Sequence, residues 1–478
     1  MSARPLSTIS GTPPQLAGRP WPAHDARRSR PWQRALLRTV LALGAALLAG
    51  AALLVLMVAA SGALNQRAGN WTTQVELPGG IDTQLNVPGL VRLATSPLGR
   101  WLLDGHTATS QSGVLRFAAE GPALVVRCAP CRIDDARLAA QPITLRSAEL
   151  RLTRGRAADA SDRIDGELAS GAVRLRFTAR LERDHIEFDG QLAATPLAEV
   201  YRLFGDAIAE TRVARIDGQV SAQGTLVLPA GQLRTQVAFT GFEVGGLATE
   251  RLQSGWFSQA CPTVSEPARR VTTGDGEPRW TAAGEMGPWL AAAVLAAQDA
   301  AFESHGGFDP AALAATVTGA DRQPPATLTQ QLAQTLFTGD AGTLAQRLRT
   351  LLYAVEMERT LGKPRILELY LNTAHWGPGV CGARAAARLY FRKPPARLTP
   401  LEAAWLAGAL ADPQAAYTRQ FLHGSANTAR AAVIVRQLRE LPRESREREA
   451  QQRLTFAAPP RPPTSSRAAQ TPGWLATR

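Results

Sequence analysis

Residues 298–309 read QDAAFESHGGFD and place Asp299, Glu303, His305 and Asp309 within one short segment. A carboxylate set beside a hydroxyl can take its proton as a bond forms, and an imidazole can do the same near neutral pH. The segment is headed by Gln298, whose carboxamide has no basic site near pH 7. If a helix runs through it, Asp299 points about 100° away from Gln298, and Glu303 lies off that face as well. His305 reads as a structural histidine rather than a proton carrier. A second cluster, Thr327, Gln330 and Gln331, sits in PPATLTQQLAQTLF. These side chains could bond sugar or phosphate oxygens, or Thr327 could simply cap a helix whose amides face solvent. A third, Arg347 and Arg349 in QRLRT, offers charge-assisted donors to a phosphate group, or else a solvated helix face.

Helices must position these groups. Residues 288–303, 326–337, 344–361, 363–372 and 400–411 are long and periodic enough to be helical. The preceding region differs. From about residue 65 to 260 the pattern is short alternating strands, as in 173–181 (VRLRFTARL), where Val173, Leu175, Phe177, Ala179 and Leu181 share one face. Residues 196–205 (PLAEVYRLFG) read as a short helix between strands. An echo links Arg163-Ile164-Asp165-Gly166 to Arg215-Ile216-Asp217-Gly218. Asp-Gly is a hairpin-turn signal, so the echo marks either two turns or repeated hairpins of one sheet. Residues 261–279 collect polar, Pro and Gly residues and suggest a linker. The Pro-, Ser-, Thr- and Arg-rich stretch 457–478 reads as a disordered tail.

With 478 residues the chain is long enough for two or three domains. Its net charge of +13 is almost wholly arginine, since Lys363 and Lys393 are the only lysines. A basic balance admits nucleic acid, anionic lipid or a phosphate-bearing substrate, but no zinc-finger spacing or RNA-binding aromatic motif favours nucleic acid. Residues 39–60 (TVLALGAALLAGAALLVLMVAA) are uncharged and long enough for the roughly 30 Å hydrocarbon core. Arg4, Arg19, Arg27, Arg28, Arg30, Arg34 and Arg38 precede them against the single acid Asp25. The positive-inside rule then leaves residues 1–38 in the cytoplasm and exports the bulk of the chain. A cleaved signal peptide would have a shorter apolar core. Cys128, Cys131, Cys261 and Cys381 would then meet an oxidising compartment. Cys128 and Cys131 read as a local disulfide or two free thiols, with no ligand pair nearby to complete a zinc site.

Residues 280–413 resemble the family 51 glycosyltransferases, the peptidoglycan-polymerising domains of monofunctional transglycosylases and class A penicillin-binding proteins. The resemblance rests on ordered blocks. Against the family's E-D-x-x-F-x-x-H-x-G-x-D, this chain keeps Asp299, Phe302, His305, Gly307 and Asp309, with Gln298 in place of the leading glutamate. Against G-G-S-T-I-T-Q-Q-L it keeps Thr327, Thr329, Gln330, Gln331 and Leu332, with Pro324-Pro325-Ala326 replacing Gly-Gly-Ser. ILELYLN (366–372), WGPGVCGARAAARLYF (376–391) and LTPLEAAWLAGALADP (398–413) follow in order. The family's R-K-x-x-E block ends sixteen residues before the first isoleucine of ILELYLN, which falls on Thr350. Both catalytic glutamate positions are therefore substituted, by Gln298 and Thr350.

Together these readings give a multi-domain chain: an N-terminal transmembrane helix (39–60), a β-rich exported domain (65–260) and, after the linker, the domain that the resemblance makes a mainly α lysozyme-like glycosyltransferase (280–440). The β region in turn resembles the repeat-built sheets of AsmA-like envelope proteins. In the family, the first glutamate takes the proton from the attacking sugar hydroxyl of lipid II. The second serves the pyrophosphate side, directly or through a divalent metal such as Mg²⁺. No other cofactor is expected, and Thr350 is a poor ligand for that ion. By analogy, Asp299, Phe302, His305, Thr327, Gln330, Gln331, Arg347 and Arg349 would line the substrate cleft. Expected partners are lipid II or glycan strands, the inner membrane and other cell-wall synthases, with no nucleic acid. A bulk periplasmic location follows. Three functions stay open: a catalytically silent binding homologue, an active divergent polymerase using a displaced carboxylate such as Asp299 or Glu356, and an envelope lipid- or protein-binding module acting through the β domain. A transpeptidase half is excluded. Thr360 and Tyr390 stand where Ser-x-x-Lys would need serine before Lys363 and Lys393.

Overall fold

The computed structural model describes residues 72–77, 81–156, 162–263, 269–310, 326–339 and 342–458. The expected transmembrane segment at 39–60, Pro324-Pro325 and residues 459–478 lie outside the described residues. Among the described residues no helix is long and apolar enough to cross a membrane.

Strands β1 (Thr72–Leu77) and β2 (Ile81–Asn86) form a hairpin. It leads into α1 (Val87–Thr95) and α2 (Pro97–Leu103), capped by Asn86 and Ser96, whose side chains accept from the Gly89 and Gly99 amides. The next strands are β3 (Thr107–Ser110), β4 (Gly113–Glu120) and β5 (Ala123–Cys128). A small hairpin, β6 (Cys131–Ile133) with β7 (Ile143–Leu145), follows. Then come β8 (Ala148–Arg156), β9 (Asp162–Ser170), β10 (Val173–Leu181), β11 (Ile186–Pro196), β12 (Arg215–Leu228) and β13 (Gln232–Gly245). Nine of them make one antiparallel sheet in the order β13-β12-β11-β10-β9-β8-β5-β4-β3. The chain crosses from β11 to β12 through helix α3 (Leu197–Arg202) and two short 3₁₀ turns. Neither Asp-Gly echo is a turn. Asp165-Gly166 lies inside β9, and Gly218, at φ +95°, sits where the β12–β13 register shifts.

Strict alternation gives this sheet two unlike faces. One is a ladder of ion pairs: Arg127 and Arg151 on Glu120, Arg174 and Arg176 on Glu167, and Arg180 on Glu187. These pairs are exposed and each adds little to stability. The other face is apolar. At one end α1 packs Val87 and Val91 on Ile164, Ala179, Leu181 and Ile186. At the other end Val220, Phe239 and Val244 pack against the helical region.

Residues 261–279 are not simply a linker. β14 (Trp256–Cys261) pairs with β15 (Arg269–Gly274), and Cys261 is disulfide-bonded to Cys381. Cys128 is bonded to Cys131, the local disulfide that the spacing allowed. The helical region follows as α4 (Pro288–Gln298), α5 (Leu328–Ala333), α6 (Leu344–Thr360), α7 (Gly362–Thr373), α8 (Ala383–Phe391), α9 (Pro400–Ala409), α10 (Pro413–Phe421), α11 (Ala429–Gln437) and α12 (Arg443–Ala450). Helix α9 is buried almost all round and packs on α4. Helix α6 belongs to two cores. Met357 lies in the helical core, while Leu351, Leu352 and Val355 meet Tyr201, Ile216 and Val220 from the sheet region.

Candidate active site

Helix α4 ends on Gln298, five residues short of the expected 303. Asp299 is outside helical geometry (φ −159°, ψ 74°), so the 100° helical argument does not apply to it. The reason is visible in its partners. Its carboxylate accepts from His305 Nε2 at 3.0 Å and from the Leu328 amide, at the start of α5, at 2.8 Å. His305 Nδ1 accepts from the Gly307 amide at 3.1 Å, so the proton facing Asp299 is on Nε2. Gly307 stands at φ +90°, and a Cβ there would meet the Ala354 carbonyl at 2.9 Å. The segment is thus a clamp that joins the end of α4 to the start of α5. Phe302, expected in the cleft, is buried beneath it, with Lys363 Nζ 4.3 Å from its ring centre. A side chain so enclosed cannot touch a substrate. Gln298 itself is half-buried and donates from Nε2 to the Ala407 carbonyl at 3.1 Å.

The second cluster is also occupied. Thr327 and Gln330 form a capping box: the Thr327 hydroxyl caps the Gln330 amide, and Gln330 Oε1 accepts from the Thr327 amide at 2.9 Å. The Thr327 hydroxyl also donates to the Gly307 carbonyl at 2.7 Å. Gln331 donates to Ala326 O and accepts from the Tyr370 hydroxyl at 2.8 Å. Burial, and then the nearby Asp299 charge, push that hydroxyl's pKa well above the ordinary tyrosine range. Sequence reasoning gave Glu358 and Lys363 no role. They form a second clasp: Glu358 accepts from Thr329 at 2.6 Å and from Lys363 at 2.9 Å, and Lys363 also donates to the His305 carbonyl. The retained Thr329 and the lysine five residues beyond Glu358 were the available signal.

The third cluster departs furthest from expectation. Arg349 grips Glu210 of the sheet region through contacts of 2.7–2.9 Å. Burial alone would raise the Glu210 carboxyl, but the Arg349 hydrogen bonds outweigh it and hold the pKa below its ordinary value. Thr350 is 2 % exposed. Its hydroxyl donates to Gln346 O at 2.9 Å and lies 2.8 Å from the Thr338 hydroxyl, in the π-helical turn Gln334–Thr338. Glu356, a candidate replacement carboxylate, is buried and accepts from the Leu247 amide and the Thr249 hydroxyl. Arg347 lies half-buried one turn from the start of α6. These residues do not suit a Mg²⁺ ion. Thr350 is neutral and enclosed, its neighbour is a guanidinium, and among the described residues no group of three His, Cys, Asp or Glu could hold a metal.

The helices and the retained blocks together define a transglycosylase-type domain. Residues 266–439 match the family model described as Transglycosylase. Among curated proteins, the chain is similar to the biosynthetic peptidoglycan transglycosylases of Salmonella paratyphi B, Salmonella typhi and Salmonella newport. Each is 36% identical over 171 residues, which is 35% of this chain and 70% of the relative. The chain belongs to the transglycosylase family.

Proposed function

We propose that this protein is a cell-wall glycosyltransferase homologue that binds lipid II or glycan strands without polymerising them, anchored in the inner membrane by residues 39–60 with its bulk in the periplasm. One observation carries the loss of catalysis: the two positions where the family resemblance expects glutamate hold an amide bonded to a carbonyl and a buried threonine. Removing the general base alone costs roughly 10²–10⁴ in rate. Three nearby carboxylates are already engaged. Asp299 holds His305 and α5, Glu356 holds the Leu247 turn, and Glu358 holds Lys363. The active, divergent alternative would need one of these to leave its partners, or the exposed Glu303 to take the role.

In such a role the helical domain would meet its ligand or a cell-wall synthase without acting on it. The test is a lipid II polymerisation assay on the full-length protein in detergent, beside lipid II binding. The expected result is binding without glycan strands. Turnover above a heat-denatured control would overturn the reading.

A further inference from the structure

Between the two covered ends of the sheet's apolar face runs an open trough of about 460 Å³. Its floor follows one row across the strands. Gly166 pairs with Phe177, Phe177 with Gly190, Gly190 with Gly224, and Gly224 with Thr235. Phe177 already fills the space above Gly166, where a Cβ would stand 2.2 Å from its ring. Gly190 is different: it has ordinary extended backbone, and a Cβ there would meet nothing closer than 3.7 Å. Leu168, Leu175, Leu226 and Leu233 form the walls. Leu168 is 42% exposed and the other three are only half-buried, so this apolar lining is left partly open to water. From β9 to β13 the row spans four strand spacings, roughly 19 Å.

The floor is sheet interior, where backbone N–H and C=O groups are paired within the ladders. A peptide laid there would find no main-chain partner for its own polar groups, whereas a hydrocarbon chain needs none. The trough also has a polar end. Two residues beyond Leu168, roughly 7 Å along β9, a cavity of about 600 Å³ opens between Ser147, Ser170, Gly171 and helix α3. It holds Arg146 and Arg202 against Glu199. Arg202 is paired with Glu199. Among the described residues no carboxylate pairs with Arg146, which is exposed. An apolar channel ending at an unbalanced cation complements a molecule with a long alkyl tail and an anionic head.

We propose that this trough binds one acyl chain of an anionic membrane glycerophospholipid, with the phosphate beside Arg146. The site is independent of how the helical cleft is read, and its test measures no glycan chemistry. The probe is phosphatidylglycerol carrying a diazirine on one acyl chain, added to the full-length protein in detergent micelles and mapped by mass spectrometry. Adducts are expected on β9 to β12. Gly190→Trp fills the floor and should lower labelling about tenfold, the equivalent of roughly 1.4 kcal/mol, with the unfolding midpoint unchanged. Leu175→Gln is the second variant and should lower labelling without adding bulk. Arg146→Glu should weaken phosphatidylglycerol labelling about fivefold and leave labelling by the matching uncharged diacylglycerol unaltered. Labelling outside these strands, or labelling indifferent to both trough variants, overturns the proposal. So does a parent protein that is dimeric while Gly190→Trp is monomeric, because a second copy would then be the occupant.

Discussion

The two positions where the family resemblance expects glutamate sit in unlike surroundings. Gln298 ends a helix, is half-buried and makes one hydrogen bond to Ala407. Thr350 is sealed within α6, beside Thr338, next to the residue that ties the helical region to the sheet through Glu210. At the first position only one side-chain contact would have to be exchanged. At the second the side chain sits in closed surroundings, because α6 is the joint between two packed regions. Restoring one carboxylate is a matter of one side chain, whereas restoring the other means charging a closed interior.

The sharpest way to break this contrast is Thr350→Glu. A carboxylate placed there is enclosed, with the adjacent Arg349 already held by Glu210, and should cost about 4 kcal/mol, read as a lower urea midpoint. A neutral effect would show that the site opens easily. Asp299→Ala removes the acceptor for both His305 and the Leu328 amide and should cost about 3 kcal/mol; circular-dichroism melting measures it. Glu210→Gln tests the joint and should cost about 2 kcal/mol, since Arg349 is left partly buried without its partner. Its pH dependence has a definite sign. Because the Glu210 pKa is held below its ordinary 4.5 in the folded protein, its contribution is full above that value and fades as pH falls through the lower folded value. The gap between parent and Glu210→Gln should therefore stay constant above about pH 6 and close on acidification. Gln298→Glu should be the mildest, under about 1 kcal/mol. On its own it should leave polymerisation undetectable, because the second carboxylate is still missing.

Much of this was legible beforehand. Alternation along Val173–Leu181 gave the two faces of the sheet, and the ordered blocks located the helices to within a few residues. Other features depend on partners far away in the chain. Asp299 leaves the helix because Leu328 and His305 claim its carboxylate, and a helical period carries no trace of that. Arg349 is engaged by a residue 139 positions earlier, so its spacing beside Arg347 looked like a phosphate site. Thr327, Gln330 and Gln331 were similarly ambiguous, since a cap and a ligand contact call for the same side-chain types.

By itself the sequence determined that neither position 298 nor position 350 carries a carboxylate, because a carboxamide and a hydroxyl lack that basicity in any fold. It also determined family membership and the bifacial strands, which follow from local period and order. Only the tertiary structure decided which polar side chains hold the scaffold together and that Cys261 joins Cys381 across 120 residues. It alone decided, too, which stretch of the apolar face stays uncovered. Those outcomes are set by which distant surfaces meet, and residue type and spacing do not encode that choice locally.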